Sequence, residues 1–201
     1  CTSLESVRLP EGVTEIIWGA FENCTALHTV YLPEGVTTID REVFRNCTAL
    51  TEIQLPDSVT EIDYDAFNGC TSLESVRLPE GLTRIGVDAF TGCSSLTSPV
   101  IPKGVLLRHN PFVYCPKLRD LRIAEGHAAL TAQNGALYDK DQNTLICWPG
   151  AEGHVELPDT VVKIEDRAFV GATGLTGITL PGKLDWDARY DSQRLCGSAF
   201  V

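Results

Sequence analysis

CTSLESVRLPEGVTEIIWGAFEN, residues 1–23, is followed without a gap by CTALHTVYLPEGVTTIDREVFRN (24–46), CTALTEIQLPDSVTEIDYDAFNG (47–69), CTSLESVRLPEGLTRIGVDAFTG (70–92) and the looser CSSLTSPVIPKGVLLRHNPFVY (93–114). The cysteines at 1, 24, 47, 70 and 93 keep a spacing of 23 residues, and other residue types keep the same beat. The shared frame is C-x-x-L-x-x-V-x-L-P-x-G-V-T-x-I-x-x-x-A-F-x-x. A fixed period of this length marks one supersecondary unit stacked on copies of itself.

Outward from these five segments the beat falters and recovers. A sixth coil opens at Cys115 (CPKLRDLRIAEG), and its return half is replaced by unrelated sequence up to about Trp148. In HVELPDTVVKIEDRAF, Val155, Leu157, Pro158, Ile164 and Ala168-Phe169 then take the slots of Val7, Leu9, Pro10, Ile16 and Ala20-Phe21. The last coil, GLTGITLPG, runs into LDWDARYDSQR before Leu195 and Ala199-Phe200 recover the pattern. We therefore expect a single elongated domain over 1–201: regular coils at 1–123, a hairpin insertion at 124–154, resumed repeats at 155–182 and an irregular, incomplete last coil at 183–201. Starting on a repeat Cys and stopping in mid-coil, the chain reads as a piece of a longer protein.

Within a coil, V-x-L reads as a short strand with Val7 and Leu9 inward and Ser6 and Arg8 outward, because successive side chains alternate across a strand. Pro10 ends it, since proline cannot donate to a ladder. L-P-E-G is expected to place Pro second and Gly fourth in a type I turn. After V-T-x-I, Asp40 or Asp63 is positioned to cap a helical turn whose Phe faces the core. A lone coil has too little apolar surface to offset the entropy of ordering its backbone, so stability must come from neighbour interfaces.

The period in the low twenties, with Leu at this spacing, is the leucine-rich-repeat range. L-x-x-V-x-L-P-x-G-V-T-x-I-x-x-x-A-F-x-x-C resembles the BspA-type, or Treponema-type, class of these repeats over nearly all of residues 1 to 182 and the Leu195 to Phe200 remnant. The segment from Asn134 to Pro149 resembles the insertion that interrupts such arrays. The resemblance implies an α/β leucine-rich-repeat solenoid: right-handed stacked coils, short parallel strands on one face, short helical turns on the other and a β-hairpin insertion. It also implies a secreted or cell-surface microbial protein, with adhesion to host matrix proteins implied for some members of the class.

The formal net charge of −11 and pI near 4.7 repel phosphate backbones and anionic lipid, which argues against nucleic acid and bare membrane as partners. No stretch approaches the ~20 apolar residues of a membrane span. Six of the eight cysteines, at 1, 24, 47, 70, 93 and 115, hold the repeat position, which Ala172 fills in the resumed array. Alanine replaces a small buried hydrophobe but not a disulfide partner or metal ligand, so the column reads as buried free thiols. Cys147 and Cys196 lie off that column and are expected to be the more reactive pair.

No metal, cofactor or catalytic site is expected. There is no CxxC pair. Asp139-Lys140-Asp141-Gln142-Asn143 starts like a calcium loop, but Thr144 and Gly150 stand where Gly and Glu are required. It reads better as the tip of a hairpin between Ala136-Leu137-Tyr138 and Leu145-Ile146-Cys147. Asn23-Cys24-Thr25 and Asn46-Cys47-Thr48 match the glycosylation acceptor pattern only because the repeat places Asn before Cys. His28, His109, His127 and His154 are scattered with no nucleophile or ligand spacing. Trp18 falls on a variable repeat position with no assigned role.

What varies is the outward side of the strands: Ser6/Arg8, Thr29/Tyr31, Glu52/Gln54, Ser75/Arg77, Ser98/Val100, Asp120/Arg122, His154/Glu156 and Gly177/Thr179. Parallel strands ~4.8 Å apart are expected to join these pairs into one continuous surface, which solenoids use for extended partners. Arg8, Tyr31, Glu52, Gln54, Arg77, Asp120 and Arg122 are the candidate contacts, Arg and Tyr foremost as hot-spot residue types. The expected function is non-catalytic binding of a macromolecule, with a protein such as a host matrix or surface protein as the partner. Two other readings stand beside it: a structural spacer, or a glycan-binding module using Tyr138, Trp148, Trp186 and Tyr190.

Overall fold

The structure, a computed structural model, describes residues 1–107 and 109–184. The expected features at Trp186, Tyr190, Leu195, Cys196 and Ala199-Phe200 lie outside the described residues. The V-x-L segments form the strands Ser6–Arg8, Thr29–Tyr31, Glu52–Gln54 and Ser75–Arg77, with the outer residues largely exposed and Val30, Ile53 and Val76 buried between them. Val7 lies opposite Val30 and Ile53 opposite Val76, each pair parallel and one repeat apart. In the fifth coil Pro99 takes the inward slot and cannot donate. The strand there shrinks to Val100–Ile101, paired with Arg122–Ile123.

This face is a row of parallel pairs, not the continuous sheet expected. The last pair joins Glu152–Glu156 to Gly174–Thr179, and no shared ladder joins Thr29–Tyr31 to Glu52–Gln54. The second extended segment is less interrupted. Thr38–Ile39, Glu61–Ile62 and Arg84–Ile85 form one three-stranded parallel sheet, extended by bridges from Ile16 to Ile39 and from Arg84 to Leu106.

The turn after the first strand starts one residue later than expected. The Val13 amide donates to the Pro10 carbonyl, and the bond recurs from Val36 to Pro33, Val59 to Pro56, Leu82 to Pro79 and Val105 to Pro102. Proline therefore opens the turn. Gly12 and Gly35 fall in its third position with φ of 94° and 120°, a region where a Cβ is strained.

The expected helical turn does not form. Among the described residues there is no helix, and the α half of the α/β description gives way to strands and turns. Two left-handed residues recur in each regular coil: Gly19 and Asn23, Glu42 and Asn46, Asp65 and Gly69, Asp88 and Gly92. A left-handed residue every fourth position stops a right-handed helix. The amides alternate in destination accordingly. Phe44 donates to Ala66 and Asn46 to Asn68 in the next coil, whereas Arg45 donates to Glu42 within its own turn. Asp40 caps no helix; its Oδ1 accepts the Arg41 amide. Asn23 and Asn46 hold left-handed positions, and Asn46 Nδ2 donates a hydrogen bond to Asn23 Oδ1 at 2.9 Å, which accounts for Asn before the repeat Cys.

Inside the stack, Phe21, Phe44, Phe67, Phe90 and Phe112 form a column with ring centroids 5.2 to 5.6 Å apart. Beside it Cys47, Cys70, Cys93 and Cys115 donate to the carbonyls of Phe21, Phe44, Phe67 and Phe90 at 3.1 to 3.2 Å. Burial pushes the Cys47 and Cys115 thiols up to about 12 and those of Cys70 and Cys93 well above their ordinary value.

The hairpin is present as Ala136–Asp139 and Thr144–Cys147, with Leu130–Gln133 added on one side and Lys163–Ile164 in parallel on the other. At its tip Asp139 Oδ1 accepts the amides of Asn143 and Thr144, so the carboxylate that looked like a calcium ligand closes the turn. The sheet is a wall between two cores. Leu137, Ile146 and Cys147 join the core of the regular coils. Ala136, Tyr138, Leu145 and Trp148 face a second one containing Val155, Ile164 and Phe169. Cys147 is thus buried near Cys115, and that burial pushes its thiol far up. The expected reactive cysteine is an inert core residue.

Candidate functional site

The strand face gathers some of the predicted residues and leaves others apart. A recess of about 230 Å³ lies where the first strand pair ends and the second begins, lined by Arg8, Tyr31, Leu32, Gln54, Asp57 and Arg77 among others. Four successive coils contribute to it. Its existence follows from the missing ladder between Tyr31 and Gln54, because a closed sheet would fill that seam with backbone.

Arg8 lies over the Tyr31 ring, its guanidinium carbon 4.0 Å from the centroid. This cation–π contact holds a positive charge at the rim of the recess. Across the recess Arg77 Nη2 stands 3.3 Å from Asp57 Oδ1, both well exposed, a pair of little value to stability. Glu52 is exposed at the other end of the strand carrying Gln54 and does not line the recess. Asp120 and Arg122 pair at 3.0 Å further along the face, beyond exposed Val100. The seven candidates therefore fall into a cluster of four, one flanking carboxylate and a separate ion pair.

Tyr138 and Trp148 are buried and face the second core, so half of the aromatics considered for a glycan site are unavailable. His127 is buried too: its Nδ1 accepts the amides of Ala129 and Leu130, and burial lowers its pKa. Among the described residues no group of three or more His, Cys, Asp or Glu is placed to hold a metal ion, and no helix is long and apolar enough to cross a membrane.

Sequence reasoning passed over a second surface. Trp18, Arg41 and Tyr64 occupy one slot of the first three coils, two residues after the inward Ile, and all are exposed. Tyr64 has Arg41 and Arg84 within 5.3 and 5.2 Å of its ring centroid. Arg84 is itself held by Glu61 and, at 3.2 Å, by Asp63. The signal was a column of Trp, Arg and Tyr at a variable position, visible once the coils are aligned.

Stacked coils of 22 or 23 residues, each giving a short strand to one face from an L-x-x-V-x-L segment or its variant, define a leucine-rich-repeat solenoid. The chain belongs to the BspA-type leucine-rich repeat family, whose repeat region matches residues 1–125 and 153–187 in six copies. Among curated protein sequences, none is significantly similar. Solved structures share the fold. The pneumococcal vaccine antigen PcpA is 22% identical with a TM-score of 0.79, covering 90% of this chain and 51% of its own. A leucine rich cell surface protein of Faecalibacterium prausnitzii is 29% identical, TM-score 0.62, over 90% of this chain and 62% of that one. The leucine-rich repeat protein of T. pallidum is 27% identical, TM-score 0.57, over 80% of this chain and 69% of its own. This chain spans about half the length of PcpA and of a Eubacterium ventriosum leucine-rich repeat protein.

Proposed function

We propose that this chain is a non-catalytic binding module of a secreted or cell-surface microbial protein, and that it takes a protein partner on its strand face. The observation that carries this is the recess where Arg8, Tyr31, Gln54 and Arg77, from four coils, surround one seam. Arg and Tyr at a desolvatable seam are the residue types that dominate interface energetics. A scaffold of stacked ladders holds them in place before binding, so little conformational entropy is lost on docking. An interface of about 1,200 to 2,000 Å² in total reaches from this seam to the Asp120–Arg122 pair. The surface location draws on the Faecalibacterium protein, described as a cell surface protein, and on the antigen PcpA.

The test is label-free binding to immobilised host matrix proteins by the wild type and by a Tyr31→Ala, Arg77→Glu, Arg122→Glu variant. We expect unchanged thermal unfolding and at least a tenfold loss of affinity, equivalent to about 1.4 kcal/mol. Binding that survives the three changes refutes the strand-face site, and absence of binding by either protein favours a spacer.

A further inference from the structure

The edge that follows the second ladder carries a site of different chemistry. Ile17 and Trp18, 70% and 66% exposed, stand side by side there. The Trp18 indole is not loose: its Nε1 donates to Glu42 Oε2 at 2.8 Å. A recess of about 260 Å³ between the first two coils is lined by Glu15, Ile17, Asp40 and the threonines 14, 37 and 38, with Trp18 following Ile17 outside the lining. Among the described residues no Lys or Arg lines it.

The nearby cations are drawn elsewhere. Arg41 leans over Tyr64 in the next coil, Arg84 is held by Glu61 and Asp63, and Arg45 sits within 3.6 Å of Glu22 and 3.5 Å of Glu42. Glu15 and Asp40 therefore have no basic partner among the described residues. Two unneutralised carboxylates, three hydroxyl-bearing side chains and an apolar wall beside an exposed Trp make a receptor for an alkyl-ammonium or guanidinium group. The charged head meets the carboxylates, the stem lies on Ile17, and the indole face is the strongest aromatic acceptor for a cation.

We propose that this edge is a second docking site, for a polypeptide segment presenting a lysine or arginine next to an apolar residue. Charge complementarity selects that occupant: an acidic segment would meet Glu15 and Asp40, and a wholly apolar one would bury them unpaired. None of the strand-face candidates takes part, so the site does not depend on the proposed function.

A random-peptide display library panned on the intact chain at low ionic strength tests this. Peptides enriched on the wild type should carry Lys or Arg within a few residues of an apolar side chain. A synthetic copy should lose about tenfold or more in affinity against Trp18→Ala and against Glu15→Gln/Asp40→Asn, each with unchanged thermal unfolding. Replacing its basic residue by Glu should abolish binding, and the Tyr31→Ala, Arg77→Glu, Arg122→Glu protein should bind it as the wild type does. Enriched peptides without a basic bias, retention of binding by both edge variants, or no binder at all would overturn the proposal. Loss of binding in the strand-face variant alone would overturn it while leaving the strand-face reading intact.

Discussion

The coils up to Cys115 and the segment from the hairpin to Leu175 solve one packing problem in two ways. In the first region each layer repeats the last: phenylalanine rings lie on one another with interplanar angles of 4 to 21°, and each thiol donates to a Phe carbonyl 25 or 26 residues back in the chain. In the second region the partners are unlike. Trp148 meets Phe169 at 6.3 Å with a tilt of 31°, Tyr138 packs in the same core, and among the described residues no cysteine takes part. The junction has no second copy in the chain. Close backbone approach is common to both regions: a Cβ on Gly135 or Gly150 would overlap the backbone at Arg119 or Leu118, and one on Gly86 within the array would overlap that at Asp63 and Tyr64.

The largest expected contrast comes from alkali. Thiols held at about 12 in the folded state, against an ordinary 9.0, stay protonated in the folded chain while they ionise in the unfolded one. The unfolded state then binds fewer protons, so stability is fully present below pH 9 and is lost as the pH rises toward 12. All the buried column thiols and Cys147 sit in the first core. We expect the urea midpoint of the wild type to fall steeply over this window. A variant with Ala at 24, 47, 70, 93 and 115, the residue that Ala172 already supplies in the resumed array, should show a much shallower fall. Equal slopes in the two proteins would mean that the thiols are not the groups resisting ionisation.

The junction is clasped by Arg167, whose Nη1 lies 2.9 and 3.0 Å from the two Asp88 carboxylate oxygens, 79 residues back in the chain. Between them Asn110 donates to the Arg167 carbonyl and accepts the Phe112 amide, tying the fifth coil to the resumed one. Partial exposure limits the ion pair to about 1 kcal/mol. A double-mutant cycle on Asp88→Asn and Arg167→Met, read by thermal unfolding, should return a coupling of that size. By contrast the exposed Arg77–Asp57 pair within the regular array should return close to none. Equal couplings would erase the distinction between array and junction.

How far this was legible from the residues follows the same division. The strands, the inward Phe and Cys columns and the hairpin could be read because each rests on a pattern that recurs or on strict alternation. The missing helix could not, although its cause was in view: Gly, Asn or Asp holds seven of the eight left-handed slots of the four regular coils, with Glu42 the exception. By themselves these residues carry no period that sets a handedness, whereas the backbone uses them to turn every other amide toward the next coil. The fate of Tyr138, Trp148 and Cys147 was illegible for another reason. Which side of a wall a hairpin residue faces depends on how the sheet sits between two cores, and no local period encodes that. On the strand face the outward positions were legible, but the recess was not, because it arises from a ladder that fails to close between Tyr31 and Gln54.

Tyr114 supplies the smallest and most specific test of the left-handed slots. It holds the position of Asn23, Asn46, Gly69 and Gly92 with φ of 57°, and the residue is 48% exposed. A bulky residue there costs about 1 kcal/mol relative to glycine, while the exposed ring contributes little burial in return. Tyr114→Gly should therefore leave stability unchanged or raise it by up to about 1 kcal/mol, offset in part by the freer unfolded chain. The same change at Tyr31, which sits in a strand with its ring against Arg8, should lower stability by about 1 kcal/mol or more. Opposite signs for the two substitutions in urea unfolding would establish that the turn side of the coil is built on left-handed backbone. A comparable loss at both would mean that the Tyr114 slot accepts its side chain without strain, and the reason given for the missing helix would fall with it.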